Sequence, residues 1–281
     1  MIHNGSFSVT ILVLGSGLSI ASCAPVRPGQ DSAGGMVASS TAPTGYLTKE
    51  AVPVSLALLP PPPAAGSAVL ALDEEIHRSA AALRDTPRYR LAALDAELVF
   101  PRAADAFTCT LGAPFDEQHT PHLYRLLQRI LLDVAASTAS AKNKYMRQRP
   151  FMVHEEPSCK PEDEARLRTN GSYPSGHATI GWAWALALAE IDPARHDAIL
   201  ARGRAYAESR LVCNVHWQSD IIEGRFLGAA VVSQEHAVAD FRADIEAARH
   251  ELAEARAKKL APERDCAAEA EALTQKIPGV L

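Results

Sequence analysis

The stretch Gly171–Ile191, "GSYPSGHATIGWAWALALAEI", limits the possible folds most strongly, because it opens with a tight turn and continues as an apolar segment typical of a buried helix. A helix of this kind has to be buried by other elements. Helical patterning runs from Asp73 nearly to the end of the chain, and no run shows sustained apolar–polar alternation with β-branched enrichment. The sequence therefore predicts an all-α fold, with helices at about 70–85, 88–98, 118–140, 141–149, 176–190, 193–210, 216–233 and 235–258.

The composition narrows the search for a binding site. Hydrophobic residues make up 47% and charged residues 22% of the 281, as in an ordinary globular protein. The formal net charge is -5, so the chain has no general attraction for nucleic acid or anionic lipid. Any anion site must be a local cluster of Lys and Arg.

The chain begins with an apolar run at 7–22 that is short for a membrane span and is followed by Cys23. This pattern predicts a signal peptide over residues 1–23 and an exported protein. The letters "IASC" resemble a bacterial lipobox, which would leave a lipid anchor on Cys23, in the periplasm or at the outer membrane. Cleavage after Ala24 and an uncleaved anchor are the alternatives.

The remaining chain divides by composition. Residues 24–48 are rich in Pro, Gly, Ser and Ala and predict a flexible linker. The polyproline-like "LALLPPPPAAGS" leads into a domain predicted at 49–260. The Ala-, Glu- and Arg-rich sequence after Val238 predicts a solvated amphipathic helix, and residues 261–281 a C-terminal tail.

Four cysteines remain after either cleavage: Cys109, Cys159, Cys213 and Cys266. In an oxidising compartment they permit two disulfides in three possible pairings. We favour Cys109 with Cys266, which would tie the tail to the body, and Cys159 with Cys213. The other pairings, and four buried free thiols, stay open.

The first chemical motif is "KNKYMRQRP", residues 142–150. Lys142 and Arg149 are seven residues apart, which on a helix brings them back to nearly the same face. Pro150 disfavours helical backbone at Arg149, so the helix is expected to end there. The two cations could grip one anion, although the segment alone also fits a solvated basic helix end.

The second motif is "YPSGH", which precedes the apolar helix. A turn around Ser175 and Gly176 leaves backbone N–H groups free at a helix N-terminus, where they can bind an oxyanion. His177 at that place could give a proton to a leaving oxygen. Taken alone, a capping or core histidine explains it equally well.

The third motif is "SRLVCNVHWQSD", residues 209–220. His216 and Asp220 are four positions apart, so on one helical face the carboxylate can hold one ring nitrogen and leave the other as a nucleophile. Arg210 adds a forked donor suited to phosphate. A zinc site fits poorly, because a third ligand is lacking and the cations would repel the metal.

In order, these motifs resemble the three-part signature of the type 2 phosphatidic acid phosphatase and vanadium haloperoxidase superfamily, with every position filled. From about Leu56 to Val232, the flanking sequences are most similar to bacterial class A non-specific acid phosphatases. Ala178 departs from the Thr usual in that class. The resemblance implies a compact helical bundle that hydrolyses phosphate monoesters without a metal or other cofactor, and it suggests a homodimer.

The resemblance also implies roles for the site residues. His216 would attack phosphorus and form a phosphohistidine, Asp220 would orient it, and His177 would protonate the leaving oxygen. The phosphate oxygens would be held by Lys142, Arg149, Ser175, Gly176 and Arg210. A bell-shaped pH profile with an acidic optimum is expected, and phosphotransferase activity is possible.

Three alternatives remain at this point. A vanadium-dependent haloperoxidase would bind vanadate in the same cage. A lipid phosphate or pyrophosphate phosphatase would act at a membrane, although the sequence predicts no transmembrane helices for it. A non-catalytic phosphate-binding lipoprotein would explain the cations but not His177, His216 and Asp220 together.

Overall fold

The computed structural model describes residues 43–280, except for the side chain of Ala104. This part of the chain is helical and contains no β-strand, which confirms the all-α prediction. Its α-helices are α1 (Ser55–Leu58), α2 (Ala68–Ala81), α3 (Pro87–Leu94), α4 (Thr108–Leu111), α5 (Pro121–Tyr145), α6 (Pro150–Val153), α7 (Glu164–Leu167), α8 (Gly176–Ile191), α9 (His196–Val212), α10 (Gln218–Glu235), α11 (Ala239–Ala257) and α12 (Cys266–Thr274). Short 3-10 helices lie at Arg102–Phe107, Pro161–Asp163 and Pro193–Arg195.

Helix α8 lies at the centre of the fold, as its apolar sequence predicts. Helices α9 and α10 pack along it, and α5 and α11 cover its other sides. Trp184 is fully buried, and its ring N–H donates a hydrogen bond to the Leu127 carbonyl of α5 at 2.9 Å. Because neighbouring helices enclose α8, the core fixes the position of its first turn.

Two glycines let α10 approach the start of α8 closely. A Cβ at Gly224 would lie 2.7 Å from the Ser175 carbonyl oxygen, and one at Gly228 would lie 2.6 Å from that of Thr179. Only the absence of a side chain permits backbones to come this near. The contact places the N-terminal part of α10 beside the turn that precedes α8.

Helix α5 corrects the prediction of two helices at 118–140 and 141–149. It runs without interruption to Tyr145 and ends because Met146 adopts left-handed backbone (φ 43°). Arg149 is extended (φ -85°, ψ 155°), as the following Pro150 requires, and Pro150 begins α6. Lys142 and Arg149 therefore do not share a helix, and the turn at Met146 brings them together.

Helix α11 corrects the prediction of a solvated helix after Val238. Its apolar face packs on α5 and α8 and buries Phe241, Ile245 and Leu252. Only the opposite face is polar, and the helix is therefore part of the core.

Packed residues also extend beyond both ends predicted for the domain. Tyr46, in the expected linker, is buried, donates its N–H to Asp133 at 2.7 Å and stacks with the Arg129 guanidinium. Helix α12, in the expected tail, packs against α3. The folded unit thus includes segments that composition alone assigned to a linker and a tail.

The cysteines pair as favoured from the sequence. Cys109 is bonded to Cys266, and Cys159 to Cys213. The first bridge attaches the start of α12 to α4. The second joins the loop before α7 to the end of α9, next to the segment that carries His216.

Between residues 43 and 280, no helix is long and apolar enough to cross a membrane. The predicted signal peptide, the lipobox-like Cys23 and most of the predicted linker lie outside the described residues.

Candidate active site

Six of the eight predicted site residues line one cavity of about 480 Å³. They are Lys142, Arg149, Gly176, His177, Arg210 and His216. The other two, Ser175 and Asp220, are completely buried and do not line this cavity. Site residues up to 74 positions apart in the sequence, Lys142 and His216, thus meet around one cavity at the N-terminal end of α8.

His216 and Asp220 interact, but by a different geometry from the one predicted. Helix α10 begins only at Gln218, so His216 precedes the helix and Asp220 occupies its first turn. The Asp220 carboxylate accepts the Trp217 N–H at 2.9 Å and contacts Nδ1 of His216 at 3.3 Å. A helix-capping carboxylate therefore also orients the histidine ring.

Arg149 determines which nitrogen of His216 carries hydrogen. Its Nη1 lies 3.1 Å from Nε2 of His216, and a guanidinium can only donate. Nε2 is therefore the acceptor and Nδ1 carries the hydrogen that faces Asp220. Burial, followed by the charges of Arg149 and Lys142, lowers the pKa of His216 well below its usual value, which keeps the ring neutral.

Backbone carbonyls hold the Arg149 side chain in place. Nη1 also donates to the Val215 carbonyl at 3.0 Å, and Nε donates to the Leu167 carbonyl at 3.1 Å. Nη2 donates to Asn170 and to the Gly171 carbonyl. The guanidinium is thus fixed beside the ring of His216 before any ligand binds.

Lys142 reaches the cavity from the last turn of α5. Its ammonium group donates to the Gly171 carbonyl at 2.8 Å. Burial and the neighbouring Arg149 lower the pKa of Lys142 to about 7, with partial compensation by Asp220. Positive charge at Lys142 is therefore costly, and a bound anion would relieve this cost.

Arg210, on the last turn of α9, has an unused donor. Nη1 bonds to the Ala92 carbonyl at 3.3 Å, whereas the buried Nε finds no partner in residues 43–280. Burial lowers the pKa of Arg210 to about 10, so the group stays cationic. A buried guanidinium N–H without a partner costs free energy unless a ligand accepts its hydrogen bond.

His177 is oriented by a backbone carbonyl. Its Nε2 lies 3.0 Å from the Ala96 oxygen and must donate a hydrogen bond to it. Nδ1 is therefore the ring nitrogen that can interact with another partner. Burial and the charge of Arg210 lower the pKa of His177 well below its usual value. These neighbours consequently favour the neutral ring.

Ser175 caps helix α8. Its Oγ accepts the Ala178 N–H at 3.3 Å, and its backbone N–H donates to the Asp220 carbonyl at 3.0 Å. The hydroxyl can still donate a hydrogen bond, and the N–H of Gly176 begins the helix. The loop before α8 is tied down as well, because the Tyr173 hydroxyl donates to the Pro60 carbonyl at 2.7 Å.

A buried ionic cluster supports the wall that carries His177 and Arg210. Asp95, next to Ala96, binds Arg202 through both oxygens and accepts the Ser209 hydroxyl at 2.7 Å. Arg202 also bonds to Glu269 of α12 at 3.2 Å. The C-terminal helix is therefore linked to the active-site wall through two ion pairs.

Sequence reasoning missed Arg147 and Asp73. Arg147 lies inside the first motif, but it does not line the cavity. It bonds instead to Asp220 at 2.6 Å and to Asp73 of α2 at 2.8 Å. The only sequence signal was a third cation in that motif, because its partners are 73 and 74 residues away.

The cavity thus presents three cations and two neutral imidazoles toward one point, an arrangement that can bind a tetrahedral oxyanion beside a nucleophilic nitrogen. Among residues 43–280, no group of three or more His, Cys, Asp or Glu side chains could hold a metal ion.

The PAP2 superfamily matches residues 123–241, the part of the chain that contains all eight predicted site residues. Over 247 residues, the chain is 38% identical to a non-specific acid phosphatase of Providencia stuartii, covering 87% of this chain and 97% of that protein. It is 39% identical over 208 residues to an acid phosphatase of Zymomonas mobilis subsp. mobilis, covering 74% and 79%. A non-specific acid phosphatase of Salmonella typhimurium is 37% identical over 195 residues, covering 69% and 78%. The chain belongs to the non-specific acid phosphatases of the PAP2 superfamily.

Proposed function

We propose that this phosphatase hydrolyses phosphate monoesters through a phosphohistidine formed on Nε2 of His216. One observation carries the proposal: Arg149 donates to Nε2 of His216 while Nδ1 faces Asp220. When phosphate binds, the Nη1–H of Arg149 that Nε2 accepts would turn to a phosphate oxygen, which frees the Nε2 lone pair for attack. The tautomer with its hydrogen on Nδ1 is the one that a histidine nucleophile needs.

In the first step, Nε2 attacks phosphorus and the bond from phosphorus to the alcohol oxygen breaks. The His216 ring becomes cationic, and Asp220 stabilises the Nδ1–H that faces it. His177 gives a proton from Nδ1 to the departing oxygen while its Nε2–H stays on Ala96. In the second step, His177 takes a proton from water, and the resulting hydroxide releases phosphate from Nε2.

His177 has to acquire a proton before it can give one. Burial and Arg210 disfavour that proton. A bound phosphate monoester brings negative charge among the three cations and removes much of that penalty. We therefore propose that His177 is protonated as substrate binds, which agrees with an enzyme working at acidic pH.

The cations Lys142, Arg149 and Arg210 would hold the equatorial oxygens of the transferred group. Phosphoryl transfer depends mainly on positioning and charge stabilisation. The free Nε of Arg210 and the N-terminus of α8, at Ser175 and Gly176, supply further donors. On this account the reaction requires no metal ion.

The cavity also supports broad substrate specificity. Its volume of about 480 Å³ leaves room for a leaving group beside the phosphate, and its lining includes the apolar Leu98 and Ile180. An alcohol that enters in place of water would accept the phosphoryl group, giving phosphotransferase activity.

We also propose a homodimer that is exported to the periplasm or anchored to the outer membrane through Cys23.

The test is release of nitrophenolate from p-nitrophenyl phosphate between pH 4 and 9 in the presence of EDTA. Wild-type protein should turn over with a bell-shaped profile, and His216→Ala should be inactive. His236→Ala is the matched control, because His236 pairs with Glu190 on the surface. Normal turnover by His216→Ala, a strict metal requirement or a flat profile would contradict the proposal.

The alternatives give different results in the same experiment. A haloperoxidase would need added vanadate and peroxide for activity. A phosphate-binding protein would retain phosphate without releasing alcohol. A lipid phosphatase would prefer phosphatidate or a polyprenyl pyrophosphate over p-nitrophenyl phosphate.

A further inference from the structure

The two oxygens of the Asp220 carboxylate have separate partners. Oδ2 accepts the Trp217 N–H and faces Nδ1 of His216. Oδ1 is bound by Nη1 of Arg147 at 2.6 Å, the shortest of the three contacts. The carboxylate is completely buried, so water cannot replace any of these partners.

Arg147 is itself held from two helices. Nη2 donates to Asp73 of α2 at 2.8 Å, and Nη1 also donates to the Ser219 hydroxyl of α10 at 2.8 Å. Asp73 is buried and accepts the N–H and the hydroxyl of Ser219 at 2.8 and 2.7 Å. Asp73 and Ser219 therefore fix the guanidinium, and moving it away from Asp220 would break these hydrogen bonds.

The left-handed backbone at Met146 creates this arrangement. It ends α5 and turns the chain, and the Arg147 carbonyl then accepts the Ser172 N–H at 2.9 Å. As a result Arg149 points into the cavity, whereas Arg147 reaches the far side of Asp220. One motif thus supplies a cation to the substrate site and another to the residue that supports the nucleophile.

Apart from Arg147 and its partner Asp73, the groups on which the Asp220 charge acts belong to the substrate cavity or carry no charge. The Asp220 charge acts to raise the pKa of three groups: Lys142 at the end of α5, Arg149 in the segment after it, and Tyr173 before α8. The two cations face the bound phosphate and would be engaged by it, and burial raises the pKa of Tyr173 far above neutrality. Arg147 is the cation that remains dedicated to Asp220 when substrate binds.

We propose that Arg147 is a positioning residue that holds the Asp220 carboxylate against Nδ1 of His216 during phosphoryl transfer. The inference rests on the proposed role of His216 as nucleophile. Without its guanidinium partner the buried carboxylate would no longer be fixed against Nδ1, and it would stabilise a cationic phosphohistidine poorly. Arg147 therefore keeps Asp220 in position, and Asp73 keeps Arg147 in position.

The test compares Arg147→Gln and Arg147→Lys with wild type, using p-nitrophenyl phosphate from pH 4 to 8. Arg147→Gln should lower kcat about tenfold or more, the loss expected for a charge-assisted hydrogen bond realised in the transition state. KM and the inhibition constant of inorganic phosphate should stay within about threefold, since Arg147 does not line the cavity.

Arg147→Lys separates charge from geometry. It retains the positive charge but cannot fork between Asp73 and Asp220, so kcat should recover only in part relative to Arg147→Gln. Arg129→Gln is the matched control, because Arg129 joins Asp244 and stacks on Tyr46 away from the cavity. This control should keep the wild-type kcat and pH profile.

The outcomes are distinguishable. If wild type turns over and Arg147→Gln, folded by circular dichroism, keeps kcat within twofold, the inference is wrong and the proposed function stands. If wild type shows no turnover, the proposed function fails and this inference fails with it. Should Arg147→Gln not fold, Asp73→Asn decides: a severalfold fall in kcat supports the inference, and an unchanged kcat overturns it.

Discussion

Glu235, the last residue of α10, creates a pH-dependent contribution to stability. Its side chain is completely buried, and neither carboxyl oxygen receives a hydrogen bond from residues 43–280. Asp133 of α5 lies beside it and accepts the Tyr46 and Leu47 N–H groups. Burial, reinforced by the charge of Asp133, raises the pKa of Glu235 to about 9, so the folded protein keeps a proton there that Asp133 can accept as a hydrogen bond.

The direction of the pH effect on stability follows from the protonation of Glu235 in the unfolded and the folded chain. The unfolded chain releases the Glu235 proton near its ordinary pKa of 4.5, whereas the folded chain retains it to about 9. Between these values the folded state binds one extra proton, so stability is lost as pH rises. Each pH unit costs about 1.4 kcal/mol, which amounts to about 3 kcal/mol between pH 6 and pH 8.

Glu235→Gln removes this contribution, because the amide donates to Asp133 without titrating. Urea unfolding at pH 6 and pH 8, followed by tryptophan fluorescence with the disulfides intact, measures the difference. The variant should lose about 3 kcal/mol less than wild type over this interval. The exposed Glu246, paired with Arg249, provides the control Glu246→Gln, which should behave as wild type. Equal pH dependence in wild type and Glu235→Gln would refute the reasoning.

Two further predictions concern the cavity and the C-terminal helix. Lys142→Ala should raise KM about tenfold with a smaller effect on kcat. In wild type, kcat/KM should fall as pH rises past about 7, because Lys142 loses its charge near that pH. This fall should be smaller in Lys142→Ala. An unchanged KM and an unchanged pH profile would contradict this role. The double variant Cys109→Ser, Cys266→Ser should lower the free energy of unfolding by about 2–4 kcal/mol in urea titration, because it releases α12 from the body. An unchanged urea midpoint would show that packing alone holds this helix.

The sequence predicted the elements whose signal is local. Helix α8 was evident because its apolar run and the preceding turn specify a buried helix, and its N-terminus lies where "YPSGH" indicates. The site residues could be selected because each motif has fixed internal spacing. Their convergence on one cavity depends on the packing of α5, α9 and α10 around α8.

Features that depend on distant partners were missed. Met146 is a good helix former, and its left-handed backbone becomes favourable only in the folded chain. Arg147 resembled a solvated cation because Asp73 and Asp220 are far away in sequence. Helix α11 looked solvated for a related reason, since alanines and a few large apolar residues form its buried face.

The central claim is that Nε2 of His216 carries the phosphoryl group during turnover. The most direct measurement quenches the enzyme in alkali during hydrolysis of radiolabelled phenyl phosphate and maps the modified residue by mass spectrometry. The account predicts an alkali-stable, acid-labile phosphate on His216, absent from His216→Ala and present in His236→Ala. Sustained turnover with no phosphate on His216, or with label on another residue, would contradict it.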